Sequence, residues 1–160
     1  MGVIAEVLST DGTDVKSDRG SSDNVTARHF SAPGDDSHPL PGDYVALSDA
    51  AGTGRQTAVG YKDKTNAPQA QPGERRTYAR NPAGAVVAQI WARNNGEVSV
   101  FNDNGAFTLE PGGDVVINGV RITTDGRVIA ANGVSLTEHT HAQGNDSGGS
   151  TEQETEPPTL

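Results

Sequence analysis

The sequence predicts an all-β protein with an N-terminal barrel and a C-terminal stack of short strands that several chains complete together. Three observations lead to this prediction. Val, Ile, Leu and Ala occur in short alternating groups without helical periodicity, and turn dipeptides recur at a fixed interval in the second half. Only 32% of the 160 residues are apolar and 4% are aromatic, so a lone chain has little material for a core. Oligomerisation is the usual remedy.

The first half of the chain reads as short strands separated by turn clusters. About five strands in about 80 residues predict a small barrel such as an OB-fold. The break at Asn81-Pro82-Ala83-Gly84 marks the expected end of this domain, at residue 82, because proline and glycine interrupt strand pairing. The predicted strands cover 3–8, 25–30, 43–47, 56–61 and 75–80.

The second half contains an internal repeat, because a turn glycine recurs every seven residues. Glycine is poorly tolerated within helices, and Val and Ile predominate, so we favour short β-strands over a coiled coil. Each strand is expected to end at a turn that places Gly or Asn at positive φ. The turn dipeptides are Asn104-Gly105, Pro111-Gly112, Asn118-Gly119, Asp125-Gly126 and Asn132-Gly133.

Strands this short cannot bury a face alone, so we expect three intertwined copies to share one apolar axis. The residues that would face this axis are odd-numbered at the start of the repeat and even-numbered from Val120 onwards, so at least one turn must shift the parity. They are Phe107, Leu109, Val120, Ile122, Val128, Val134 and Leu136.

The charge distribution limits the classes of partner. The net charge is −9, and residues 81–160 carry 10 acids and 3 bases, which argues against nucleic-acid binding there. Arg75, Arg76, Tyr78 and Arg80 suggest a single-strand interface, but we favour an outward strand face given the acidic total. There is no cysteine, so disulfides and Cys-based zinc sites are excluded. No segment resembles a signal peptide or a membrane span, and we expect a soluble protein.

His139 and His141 stand directly after the repeat and are the candidate metal ligands. Residues two apart on a strand point to the same side, so one chain offers two imidazoles. Two are too few to hold a metal well, whereas three chains would supply six and fill an octahedral shell. The alternative is a pair of solvated histidines before a polar tail. No catalytic motif accompanies them, since a Gly-x-Ser-x-Gly elbow, a cysteine nucleophile and an HExxH helix are all missing from the sequence.

Three groups of residues resemble the baseplate assembly protein V family, the central membrane-piercing spikes of contractile-tailed phages, in particular its Mu-like branch. The first group lies in the N-terminal half, the second is the glycine-punctuated stack, and the third ends in the His-x-His pair. The phrases are Pro41-Gly42-Asp43-Tyr44-Val45-Ala46-Leu47, Val59-Gly60-Tyr61-Lys62-Asp63, Gly73-Glu74-Arg75-Arg76-Thr77-Tyr78 and Gly133-Val134-Ser135-Leu136-Thr137-Glu138-His139-Thr140-His141.

This resemblance implies an OB-fold-like base over 1–82, followed by a trimeric intertwined β-helix or β-prism spike over 83–137 with a short apex at 138–145. A polar acidic tail, expected to be flexible, would cover 146–160. One iron ion per homotrimer, as Fe²⁺, would be held by His139 and His141 of three chains, because six imidazoles suit an octahedral first-row metal better than zinc.

The partners that the resemblance implies are baseplate hub and tail-tube proteins and, transiently, the host outer membrane, with the protein located at the tip of the virion tail. No nucleic-acid partner and no enzymatic activity are expected. The alternative function is a trimeric baseplate or fibre module that binds a host surface glycan. If Val134 and Leu136 face the axis, strict alternation along the strand would turn His139 away from it. Inward histidines therefore need a turn or bulge near Thr137.

Overall fold

A computed structural model describes residues 2–49, 52 and 54–141, so the tail expected at 146–160 and the last part of the apex lie outside the described residues. Within those ranges the protein is all-β and contains no helix, as predicted. No helix long and apolar enough to cross a membrane occurs in this part of the chain.

Five strands of the first half form a closed barrel. They are β1 (Val3–Thr10), β2 (Asp14–Asp18), β3 (Asn24–His29), β4 (Tyr44–Asp49) and β5 (Gln56–Lys62). Their order around the barrel is β1-β2-β3-β5-β4. Most neighbours are antiparallel, while β3 and β5 run parallel, with Ala27 opposite Gln56. This closed five-stranded barrel is consistent with the predicted OB-fold.

One barrel strand differs from the sequence-based assignment. The strand expected at 75–80 exists, but its place in the barrel is wrong, because it belongs to a second sheet. The barrel strand that the sequence did not predict is β2, Asp-Val-Lys-Ser-Asp. It has a single apolar residue, Val15, and places Ser17 at the next inward position, so apolar alternation cannot reveal it.

The barrel interior is the core of the described chain. Its buried apolar side chains are small, which suits the narrow interior of a five-stranded barrel. Tyr61 and Val25 pack against this cluster from its edge. The cluster consists of Ala5, Val7, Val15, Ala27, Val45, Leu47 and Ala58.

The second sheet has seven strands in the order of the chain, so each strand pairs with its sequence neighbours. The pairings assigned between β7 and β12 are antiparallel. The strands shorten towards the C-terminus, from seven residues in β7 to two in β12. They are β6 (Arg75–Arg80), β7 (Val86–Ala92), β8 (Val98–Asn102), β9 (Gly105–Leu109), β10 (Val115–Ile117), β11 (Val120–Ile122) and β12 (Val128–Ile129).

The chain divides into two compact units. The first comprises Met1–Gln69 with Arg80–Val86, and contains the barrel. The second comprises Ala70–Ala79 and continues from Val87, and contains most of the seven-stranded sheet.

Five turns each contain the same two backbone hydrogen bonds. The N–H of the first residue donates to the carbonyl four positions on, and a glycine N–H three positions on donates back to the first carbonyl. This is the pattern of a hairpin loop closed by a glycine bulge. The glycines lie at φ between 86° and 95°, which a residue with a Cβ rarely adopts. They are Gly84, Gly96, Gly113, Gly126 and Gly133.

The expectation of positive φ at every repeat turn is confirmed in part. Gly119, Gly126 and Gly133 have positive φ, and so does Asn118. For Gly105 and Gly112 the expectation is wrong, because both have ordinary φ values. At the second turn the next residue, Gly113, takes the left-handed conformation at φ 95°. Because Gly112 and Gly113 are adjacent, either could take the left-handed conformation, and the seven-residue spacing wrongly selects Gly112.

Candidate functional site

One face of the seven-stranded sheet is apolar over six consecutive strands. Residues paired directly across antiparallel strands point to the same side, and the register links apolar residues from β7 to β12. Val100 lies opposite Phe107, Phe107 opposite Ile117, and Ile117 opposite Val120. This apolar face consists of Ile90, Val98, Val100, Phe107, Leu109, Val115, Ile117, Val120, Ile122 and Val128.

Most side chains of the apolar face are exposed in the single chain. Ile90 is 53% exposed, Val100 46% and Phe107 42%. Soluble monomers rarely leave a contiguous apolar area of this kind uncovered.

The apolar face includes the residues expected to share one side. Phe107, Leu109, Val120, Ile122 and Val128 lie on it by register, and this part of the prediction is confirmed. Ile129 and Ser135 form an isolated bridge and lie on the opposite side of the sheet. Val134 and Leu136 flank Ser135 and therefore continue the apolar face.

The predicted change of parity occurs at Asn118 and Gly119. These two residues form a two-residue hairpin turn with both φ values positive, 48° and 89°, and Ile117 pairs with Val120 across it. The turn thereby places the odd-numbered Ile117 and the even-numbered Val120 on the same face of the sheet.

The opposite face of the sheet carries aromatic and charged residues that contact each other. The Arg93 guanidinium carbon lies 4.1 Å from the centre of the Trp91 ring, and the Trp91 indole donates a 2.8 Å hydrogen bond to Glu74. This side therefore holds its aromatic and charged groups in contacts within the chain, and Ser99 on the same side is buried.

Arg121 closes an ion-pair network on the same opposite face. Its guanidinium donates to Glu110 at 2.6 and 2.9 Å and to Asp114 at 2.7 Å. These hydrogen bonds, the ones to Glu110 first and then the one to Asp114, raise the pKa of Arg121 above its ordinary value. The network ties β11 to the turn between β9 and β10.

The chain turns between the repeat and the histidines, at the place where inward-facing histidines would need a turn. Pairing ends at the isolated bridge of Ser135, and residues 136–138 form a turn. The N–H of His139 donates to the carbonyl of Ser135 at 3.0 Å. Glu138 points to Arg127, at 3.4 Å, so the strand alternation does not continue to the histidines.

The two candidate ligands lie side by side. The ring centroids of His139 and His141 are 4.9 Å apart, with ring planes at 85°. His139 is half-buried and His141 is exposed.

The ring of His139 is held by the backbone. Its Nδ1 lies 3.0 Å from the Ser135 carbonyl oxygen, and a carbonyl only accepts, so Nδ1 carries the proton. In the neutral ring this leaves a lone pair on Nε2, which is the tautomer that a metal ligand requires, with the second nitrogen fixed by a backbone acceptor.

The donor chemistry of this apex fits a metal, but one chain supplies only part of a site. Across 2–49, 52 and 54–141, no group of three or more His, Cys, Asp or Glu residues is arranged to hold an ion. The His139–His141 pair would need ligands from other chains to complete a coordination shell.

Two of the basic residues considered for nucleic-acid binding, Arg76 and Arg80, make contacts within the chain. Arg76 lies 4.8 Å from the Tyr78 ring centre and donates to Gln89 at 2.6 Å. Arg80 donates to both carboxylate oxygens of Asp43 and pairs with Asp63 at 3.0 Å. Arg76 and Arg80 thus use their charges in intramolecular contacts.

Sequence reasoning missed the buried cluster of Asp43, Asp63 and Arg80. Asp63 also accepts hydrogen bonds from the backbone N–H groups of Thr65 and Asn66. These residues are far apart in the sequence and follow no spacing rule: the pairing of β4 with β5 brings Asp43 near Asp63, and Arg80 reaches them from the end of β6.

Compared with protein-family models and with curated proteins, the chain matches none.

Proposed function

We propose that the protein is a structural virion protein, the central spike of a contractile phage tail baseplate, and that it pierces the host outer membrane during tail contraction. The observation that supports this most is the apolar face, which runs across six strands of one sheet and is largely exposed in a single chain. A stiff trimeric spike of the predicted β-helix or β-prism type needs a surface of this kind.

The energetic reason for association is burial of the apolar face. Each fully buried Val, Leu, Ile or Phe side chain contributes about 1.5–3 kcal/mol, and the second unit has no buried apolar cluster of its own among the described residues. The opposite, charged face would remain in water. The partner on the apolar face is therefore proposed to be two further copies of the chain.

The proposed apex metal is one iron ion per trimer, bound by His139 and His141 of each chain. The half-buried, backbone-held ring of His139 supports this assignment. Such an ion would join three chain ends and stiffen the tip. The barrel unit would dock on baseplate hub or tail-tube proteins, and the work of piercing would come from the contracting sheath.

The oligomeric state tests the proposal directly. Light scattering of the full chain should give three times the 16.5 kDa chain mass. Phe107→Asp places a charge on the apolar face and should abolish the trimer. Ala106→Asp, one residue away at an exposed position on the opposite face, is the matched control and should leave it intact. A stable wild-type monomer at micromolar concentration would refute the proposal.

The metal is tested separately. Elemental analysis should find about one iron per three chains in the wild type, and none in the His139→Ala, His141→Ala double variant. The control is the double variant His29→Ala, His38→Ala in the barrel unit, which should retain iron. Unchanged iron after removal of the apex pair would exclude the assignment while leaving the trimer proposal standing.

A further inference from the structure

The outer surface of the barrel carries a cleft that the spike function does not use. It encloses about 590 Å³, within the usual range for small-ligand sites. Its centre is fixed by register: Asp14 pairs with Arg28, and Arg28 pairs with Thr57, so the three side chains lie side by side across β2, β3 and β5. Their neighbours Val15, Ala27 and Ala58 point into the core.

The cleft combines three kinds of chemistry. Arg28 and Arg55 provide guanidinium groups, and the side chain of Arg28 is 68% exposed. Phe30 provides an aromatic surface that is 62% exposed. Asp14 provides a carboxylate that accepts hydrogen bonds.

We propose that this cleft binds an acidic saccharide, a sugar that carries a carboxylate. The guanidinium groups match the carboxylate, and the Phe30 ring matches the C–H face of a sugar ring. Asp14 accepts hydrogen bonds from sugar hydroxyls. One ligand class thereby accounts for the cations, the aromatic ring and the carboxylate in a single cleft.

Asp14 separates this ligand from polyphosphates. Its carboxylate lies 3.8 Å from Arg28, too far for a hydrogen bond, so it is able to accept one from a ligand. Phosphate oxygens have no proton to donate to Asp14, whereas sugar hydroxyls do. A single-stranded nucleic acid would also need several stacking surfaces, and among the described residues that line the cleft Phe30 is the only aromatic one.

The test is calorimetric titration of the full chain with a galacturonate tetramer, with the neutral galactose tetramer as the matched ligand. We expect saturable binding of the acidic tetramer only. Arg28→Gln should weaken it about tenfold, the loss expected for a hydrogen bond to a charged group. Arg19→Gln is the matched barrel control and should have no effect, because Arg19 pairs with Asp23 outside the cleft.

Three outcomes would refute the proposed saccharide site. These are equal affinity for the neutral tetramer, unchanged affinity in the double variant Arg28→Gln, Arg55→Gln, or no binding of the acidic tetramer at millimolar concentration. Arg28-dependent binding of oligothymidylate in place of the tetramer would reassign the cleft to nucleic acid. The titration is independent of the oligomeric state, so its failure leaves the spike proposal untouched.

Discussion

Arg80 donates to both carboxylate oxygens of Asp43, whose side chain is only 4% exposed. Asp43 also accepts a 2.9 Å hydrogen bond from the backbone N–H of Leu40. The Arg80 side chain is 12% exposed and pairs with Asp63 as well. These contacts hold residues from three loops or strand ends of the first unit together.

We predict that Arg80→Gln destabilises the first unit by about 3 kcal/mol, because it leaves two poorly solvated carboxylates without their cation. Urea denaturation at a fixed chain concentration measures the loss. Arg75→Gln, at an exposed position on the same strand, is the matched control and should change the free energy of unfolding by less than about 0.5 kcal/mol. Equal effects of the two substitutions would contradict the prediction.

The same pair predicts a dependence of stability on pH. Burial opposes ionisation of Asp43, but hydrogen bonds from Arg80 and from the Leu40 N–H outweigh it and lower the pKa of Asp43 below its ordinary value. A lowered folded-state pKa contributes stability above the unfolded-state value, which is lost as the pH falls through the folded-state value.

The free energy of unfolding of the wild type should therefore decline more steeply below about pH 4 than that of Arg80→Gln. Denaturation curves between pH 2 and 6 measure both slopes. Parallel profiles would show that Asp43 does not carry the dependence.

The sequence predicted features governed by local periodicity. The alternation of Phe107 with Leu109, and of Val120 with Ile122, placed these residues on one face, and the register confirms it. A parity shift was also predictable, because an odd and an even series must meet at a turn. Strand β2 was not predictable in this way, since Ser17 occupies a core position that patterning assigns to apolar residues.

Features that depend on tertiary closure were beyond the reach of the sequence. The cluster around Arg80 joins residues 37 positions apart, and the saccharide cleft depends on the parallel pairing of β3 with β5. The His139–His141 pair was predictable, but the backbone acceptor that fixes the His139 tautomer was not. It arises from a turn whose geometry no residue pattern specifies.

Ser17 yields a prediction about the core of the barrel. Its side chain is fully buried, and within the described part of the chain its hydroxyl has no hydrogen-bond partner. An unsatisfied buried hydroxyl costs about 1–3 kcal/mol. Ser17→Ala removes this cost and leaves only a small void, so thermal denaturation should show it to be neutral or up to about 1 kcal/mol more stable.

The exposed Ser9, on the neighbouring strand, is the control for that substitution. Ser9→Ala should have no stabilising effect, since the hydroxyl of an exposed serine is solvated in both states. A clear loss of stability in Ser17→Ala would mean that the Ser17 hydroxyl has a partner after all.

Gly105 and Asn118 yield the last prediction, which concerns the packing of the repeat. The Asn118 side-chain oxygen accepts a 2.8 Å hydrogen bond from the N–H of Ala106, and a Cβ added at Gly105 would lie 2.6 Å from that oxygen. Because Gly105 has ordinary φ, any effect of alanine comes from this contact and not from backbone strain. Gly105→Ala should cost about 1–2 kcal/mol.

A double-mutant cycle isolates the contact. Asn118→Gly removes the side chain that the new Cβ meets and keeps the positive φ of the turn, so Gly105→Ala should cost about 1 kcal/mol less in that background. Gly112→Ala is the control, because Gly112 also has ordinary φ and an added Cβ meets nothing within 4 Å; it should be neutral or slightly stabilising. If the effects of the two substitutions on stability were additive, the Asn118 side chain would move aside at no cost, and Gly105 would be required for another reason.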